Sequence, residues 1–190
     1  VAQEEDFFLG LAMLGLRSRR SWITRLGVIP VRRRHGAGQA LMERLIEESH
    51  QRGVDAVTLE VIKNNIPAHK MFHKLGFRDV RELLIVRRPP GVLDAQVPAY
   101  TPAWLDHEEA VALLQLRESQ PSWIDDMPSL LNMGGLLALT VELENGDWGW
   151  VVYRKSTFQL SSLVFQTEVG DPCAVGRALA HALHTRYPHT

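Results

Sequence analysis

The segment Pro30-Val31-Arg32-Arg33-Arg34-His35-Gly36-Ala37-Gly38-Gln39-Ala40 sets three arginines and two glycines directly ahead of an amphipathic run. Unbonded N–H groups at a helix start, glycines that let a ligand approach the backbone, and neighbouring cations together make a site for a pyrophosphate. The same residues also describe an ordinary glycine-containing loop with solvated arginines. Two familiar phosphate loops fit less well. A Walker-type loop needs Gly-Lys-Ser/Thr, which is absent. A dinucleotide fingerprint needs a third small residue where Leu41 stands, and its glycines follow the strand without an insertion like Pro30 to His35.

The elements that must position this turn can be read on either side of it. Ser21 to Ile29 reads as a strand with Trp22, Thr24 and Leu26 on one face and Gly27 at a bulge or close approach, and Pro30 ends its ladder. Phe7 to Leu16 is a short, glycine-punctuated apolar run, read as a buried strand. From Gly38 to Gln51, Leu41, Met42, Leu45 and Ile46 recur at helical spacing opposite Glu43, Arg44, Glu47 and Glu48, and Gly53 supplies a stop. Val57, Leu59 and Val61 alternate as a strand. Asn65 caps a helix through Leu75 with Pro67 in its first turn and Gly76 closing it, and Phe77 to Arg88 reads as a strand hairpin.

Val28-Ile29-Pro30, Arg33-x-x-Gly36-x-Gly38, and Asn65-x-x-Ala68 with Phe72 and Gly76-Phe77, in this order and spacing, resemble motifs A and B of the GNAT superfamily of N-acetyltransferases. The resemblance covers about residues 7–88. It implies an α/β fold with a mixed central sheet flanked by helices, and acetyl-CoA or another acyl-CoA as cosubstrate. It further implies that the amides around Arg33, Arg34, His35, Gly36, Ala37, Gly38 and Gln39 hold the CoA pyrophosphate. Val28 and Ile29 would pair with the pantetheine arm, and Asn65 would lie beside it. The acceptor amine would attack the thioester directly in a cleft between two diverging strands.

The family often carries a tyrosine acid at the position of Phe72, and phenylalanine has no proton to give. Glu60 and His35 are candidates for the base by position alone, and both also read as ordinary surface residues. His69 and His73 stand four apart as zinc ligands can, yet the sequence offers no His-Glu-x-x-His pattern and no evident third ligand, so no metal is expected. The arginines at 17, 19, 20, 25 and 32–34 lack interleaved stacking aromatics, which argues against nucleic acid. Cys173, the only cysteine, has no partner for a disulfide or redox pair, which fits a cytoplasmic setting. No apolar run reaches the ~18 residues of a membrane span.

The net charge of -1 hides a split: residues 1–95 hold 16 Lys and Arg against 11 Asp and Glu, and residues 96–190 hold 5 against 11. The basic half suits an anionic ligand, and the acidic half, with Glu108, Glu109, Asp125 and Asp126, suits a cationic one. In the second half a strand, an Asn145-Gly146 hairpin, a further strand over Gln159 to Thr167 and a helix over Val175 to His184 repeat the order of the first. Setting Gly176 opposite Gly38 puts Asp171 opposite Arg33 and Ala174 opposite Gly36. This reads as a degenerate GNAT-like lobe without its anion site.

The expected organisation is therefore a cofactor-binding lobe over 1–91 and a degenerate lobe over 92–190, with Pro89-Pro90-Gly91 between them. Val1 to Asp6 read as the end of a strand entering a turn, so the first lobe begins without its first strand and helices. The function implied is acyl transfer from acyl-CoA to a small-molecule or peptide amine, with a CoA-binding protein or sensor lacking turnover as the alternative. No membrane or nucleic-acid partner is expected, and a homodimer is compatible with the reading.

Overall fold

Glycine decides how the first sheet closes. In the computed structural model, which describes residues 1–4, 7–87 and 96–188, a Cβ added at Gly10 would lie 2.4 Å from the Gly27 carbonyl oxygen. Only a residue without a side chain lets the two strands meet there. They are β2 (Phe7–Arg17) and β3 (Arg20–Val28), and with β1 (Ala2–Glu4) and β4 (Ala56–Leu59) they form a sheet in the order β1-β2-β3-β4. The first two pairings are antiparallel and β3 pairs β4 in parallel. Helix α1 (Ala37–Gln51) supplies the crossover, and α2 (Ile66–Lys74) follows β4. The chain divides into two compact units, Val1–Leu84 and Ile85–Thr190. The expected boundary Pro89-Pro90-Gly91 and the turn residues Glu5 and Asp6 lie outside the described residues.

A β-bulge reorganises β3. The register steps from Met13 opposite Arg25 to Leu14 opposite Ile23, which leaves Thr24 as the extra residue. Alternation changes phase there, so Leu26 packs in the core with Ile23, and the expected common face of Trp22, Thr24 and Leu26 does not form. The reading of β2 as buried also fails. Phe7 and Met13 are 58% and 51% exposed, because the core of α1, α2 and the sheet covers one face only. The hairpin expected over Phe77 to Arg88 is absent: residues 77–87 contain no strand, and Val80, Leu84, Ile85 and Val86 are exposed. Their pattern suits a strand, but no ladder partner is present for it among the described residues.

The second unit builds one antiparallel sheet from β5 (Tyr100–Leu105), β6 (Leu136–Leu143), β7 (Trp148–Lys155) and β8 (Leu160–Val169). Its helices are α3 (His107–Gln115), α4 (Met127–Met133) and α5 (Pro172–Arg186). Strands β6 and β7 are buried on both faces. Leu139, Val141, Val151 and Tyr153 pack with Val175, Leu179 and Leu183 of α5, while Ala138, Trp150 and Val152 pack with α3 and α4. Helix α4 is absent from the sequence reading, although Asp126 as N-cap and Pro128 in the first turn signal it. No described helix is long and apolar enough to cross a membrane.

In the first unit, α1 is tied to β3 by buried hydroxyls. Ser21 Oγ and Ser49 Oγ lie 3.0 Å apart, and Ser49 Oγ donates to the Leu45 carbonyl at 2.8 Å. Leaving one of two such groups without its partner costs about 1–3 kcal/mol, whereas removing both costs less. Ser49→Ala should therefore destabilise the protein by about 1–2 kcal/mol in urea unfolding, and Ser21→Ala with Ser49→Ala should recover part of that loss. Additive losses in the double variant would show that the pair is not coupled.

Candidate functional site

Helix α1 begins without an acceptor of its own. Its N-cap is Gly36, in the left-handed region at φ +87°, with no side-chain hydrogen bond to the first turn and no acidic residue there. Glycine is the residue that takes this conformation without strain, and it leaves the first-turn amides of Ala37, Gly38 and Gln39 uncapped. A 3-10 turn over Pro30–Arg32 brings the chain there from β3, and Arg34 is also left-handed at φ +68°. Arg32, Arg33, Arg34 and His35 are all exposed along this turn. The helix dipole and these cations give the turn a positive potential that an anion can use.

Other side chains fix the turn in place. Arg33 Nε donates to the Val28 carbonyl at 3.2 Å, and the Arg32 guanidinium lies 5.5 Å from the centre of the Phe7 ring. Gly38 faces Val28 and Met71: an added Cβ would meet Val28 Cγ2 at 3.5 Å and Met71 Sδ at 3.7 Å. Lys74 Nζ donates to Gln39 Oε1 at 3.2 Å, and Gln39 Nε2 donates to Glu43 Oε1 at 2.7 Å. The end of α2 is thereby tied to the start of α1. Met71 and Lys74 have no signal in the sequence beyond the helical periodicity that carries them.

Beside the turn the two central strands part. Parallel pairing runs only from Arg20 opposite Ala56 to Ile23 opposite Leu59. Beyond the bulge at Thr24, β3 continues to Val28 against β2 alone among the described residues. An extended ligand can lie along this stretch, and one that pairs with the Val28 carbonyl shares that oxygen with the Arg33 side chain or displaces it.

The remaining candidates sit on separate connections. Val28, Ile29, Arg33, Arg34, His35, Gly36, Ala37, Gly38 and Gln39 form one continuous turn. Asn65 is the N-cap of α2, and its Oδ1 accepts from the Ala68 amide at 3.4 Å. Glu60 is exposed one residue beyond β4. Phe72 is only 9% exposed and packs with Ile23 and Met42, edge-on to Phe77 with ring centres 6.0 Å apart. Of the arginines, Arg19 pairs with Asp55, and Arg17 and Arg20 close the β2–β3 hairpin. That hairpin lies at the far end of β3 from Val28, about 25 Å away at the rise of a strand.

The start of α5 contrasts with that of α1. Its N-cap Asp171 accepts from the amides of Cys173 and Ala174 at 3.0 and 3.2 Å, and its own N–H donates to Asp147 Oδ2 at 3.0 Å. Two carboxylates thus occupy that helix end, where an Asx cap contributes about 1 kcal/mol. The close approach of Gly10 to Gly27 and Val28 has a counterpart in Gly149, whose added Cβ would lie 2.4 Å from the Gln166 oxygen and 3.0 Å from Thr167 Cα. By this local geometry Thr167 stands to Gly149 as Val28 stands to Gly10, and four residues separate Thr167 from the N-cap Asp171 where eight separate Val28 from Gly36. The expected alignment of Asp171 with Arg33 and Ala174 with Gly36 supposes turns of equal length, and these two turns differ in length.

Residues 1–77 match the family model described as the acetyltransferase (GNAT) family. This segment, about two fifths of the chain, is thus similar to the GNAT acetyltransferases. Over 54 residues the chain is 41% identical to the [ribosomal protein bS18]-alanine N-acetyltransferases of Escherichia coli K12 and Shigella flexneri. That stretch is 28% of this chain and 36% of theirs, so the chain spans about a third of the length of these curated relatives. Among solved structures, the aminoglycoside N-acetyltransferase AAC(6')-Iy in complex with CoA is 18% identical, with a TM-score of 0.43 over 46% of this chain and 72% of that one. An aminoglycoside acetyltransferase from an uncultured soil sample is 28% identical, with a TM-score of 0.36 over 46% and 61%. These structural likenesses are loose.

The two glycines at the start of α1 differ in what they demand. Gly36→Ala should cost about 1–2 kcal/mol, since alanine is strained in the left-handed region. Gly38→Ala meets only ordinary contacts and should leave stability unchanged or raise it by up to about 1 kcal/mol. Denaturation of both variants checks this, and equal losses would contradict the assigned geometry.

Proposed function

We propose that the first unit binds an acyl-CoA at the β3–α1 turn and transfers its acyl group, acetyl by family precedent, to an amine. The uncapped α1 terminus carries the proposal, because it offers an anion what Asx residues give the other helices. The amides of Ala37, Gly38 and Gln39, with Arg33 and Arg34, would hold the pyrophosphate, and the open stretch of β3 ending at Val28 and Ile29 would take the extended arm. Asn65, at the head of α2, would lie beside that arm. The family match over residues 1–77 supports the chemistry.

The reaction needs little from side chains. The acceptor nitrogen attacks the thioester carbonyl, the C–S bond breaks, the thiolate leaves and the amine loses a proton. Holding the two reactants at attacking distance supplies much of the acceleration. Phe72 is buried and carries no exchangeable proton, so water or an unassisted thiolate departure replaces an acid at that position. His35 and Glu60 remain the candidates for the base.

The amine belongs to a peptide or a small molecule. The bS18 relatives act on an alanine of a ribosomal protein by name, which favours the peptide. A cytoplasmic setting fits the lone cysteine. The second unit is read as a degenerate copy whose anion site is closed by Asp171 and Asp147. The cationic-acceptor role expected of its acidic residues is weakened, since Glu109 and Asp126 serve as local caps and Asp125 bonds Ser122.

A second reading, CoA binding without turnover, is favoured by the buried Phe72. The two are separated by measuring acetyl-CoA binding calorimetrically and thiol release across a panel of amines and N-terminal peptides. Transfer predicts both signals in the parent chain and loss of both in Gly36→Asp, which puts a side chain and a like charge at the phosphate. Binding without thiol release for any acceptor would favour the second reading. Undiminished binding by Gly36→Asp would overturn the site.

A further inference from the structure

The sequence offers His69 and His73 without a third ligand, and the fold supplies one. Helix α2 ends in a Schellman motif: the Phe77 amide donates to the Phe72 carbonyl at 3.1 Å and the Gly76 amide to the His73 carbonyl at 3.0 Å, with Gly76 left-handed at φ +91°. The edge-on contact of Phe72 with Phe77 is the apolar clasp that accompanies such an ending. The reversal carries the chain back past the helix end and sets Asp79 beside His73, with Asp79 Oδ2 3.5 Å from His73 Nε2.

One donor atom from each of His69, His73 and Asp79 lies within 4.8 Å of the other two. The imidazoles are one helical turn apart, with ring centres separated by 6.3 Å and planes inclined by 28°. His69 Nε2 is buried and has no hydrogen-bond partner, and an unpaired buried nitrogen costs stability unless something occupies it. His73 and Asp79 are exposed, so an ion can enter from solvent.

We propose that His69, His73 and Asp79 form a binding site for a borderline transition-metal dication, with zinc as the ion the donor set suits best. Two imidazoles and one carboxylate favour zinc, nickel or cobalt over magnesium or calcium, which prefer all-oxygen sets. Donors about 2 Å from a tetrahedral zinc stand roughly 3.3 Å apart, with the fourth position left for water. His73 and Asp79 are already near that spacing, and the wider separations, up to 4.8 Å, must close by at most about 1.5 Å. The ion joins α2 to the segment that follows Gly76, clipping residues 77–79 to the helix. The site is independent of the acyl-transfer reading, which uses none of these three side chains.

The untagged 190-residue chain, stripped of metal with chelator, should be titrated with zinc by calorimetry and with cobalt by visible absorption. The expected result is saturable one-to-one zinc binding and the intense visible bands of tetrahedral cobalt. His69→Gln, His73→Gln and Asp79→Asn should each weaken binding by about tenfold or more, with circular dichroism confirming that each variant is folded. His69→Gln is the variant most exposed to misfolding; His73→Gln and Asp79→Asn change exposed residues and decide the matter if it does not fold. No saturable binding by the parent overturns the proposal, as does parent-like affinity in folded His73→Gln or Asp79→Asn.

Discussion

A helix that begins on a left-handed glycine points its first amides at nothing it carries, and this constraint organises the first unit. Helices α2, α3, α4 and α5 begin on Asn65, Asp106, Asp126 and Asp171, each of whose side chains accepts from an amide of the first turn. Helix α1 forgoes that contribution of about 1 kcal/mol and follows three arginines, with no acid in its first turn. The arrangement is weaker as a helix start and leaves the first-turn amides open to an acceptor from outside the helix. Its direction is held elsewhere, by the buried Ser21–Ser49 pair along the helix body and by the half-buried Val28 and Met71 beside Gly38.

The second consequence lies in β3. One extra residue, Thr24, bends the strand where its parallel partner β4 ends, so the strands part on the side that leads to the turn. A bulge of this kind leaves backbone groups without a ladder, which stability alone disfavours but a ligand with an extended arm can use. The second unit makes the opposite choice. Its strands β6 and β7 are covered on both faces, and carboxylates close its helix end. Helix α5 thus begins on a capped end and helix α1 on an uncapped one.

Much of this was legible in the sequence because it is local. The amphipathic period of α1, the Asn65 cap, the Asn145-Gly146 hairpin and the stop at Gly76 follow from residue type and spacing within a turn or two. The bulge was not legible, because Thr24 differs from its neighbours only in how β2 pairs across from it. The same cause misled the face assignment of Trp22 and Leu26 and the burial of β2, both of which depend on what covers the sheet. The apolar residues from Val80 to Val86 have strand-like composition, yet a strand exists only with a partner. Asp79 could not be joined to His73 from spacing, since their meeting depends on the reversal at Gly76. Motif order, by contrast, carried the GNAT resemblance, because glycine at 36 and asparagine at 65 are demanded by backbone geometry that sequence records directly.

The claim on which the account rests is that the amides at the start of α1 receive the phosphates of CoA. Amide chemical shifts measured by NMR during titration with CoA read those groups one by one. The account predicts that the largest, saturable shifts fall on Gly36, Ala37, Gly38 and Gln39, with Cys173 and Ala174 at the start of α5 unmoved. Shifts centred elsewhere, or none at the start of α1 at saturating CoA, would contradict it.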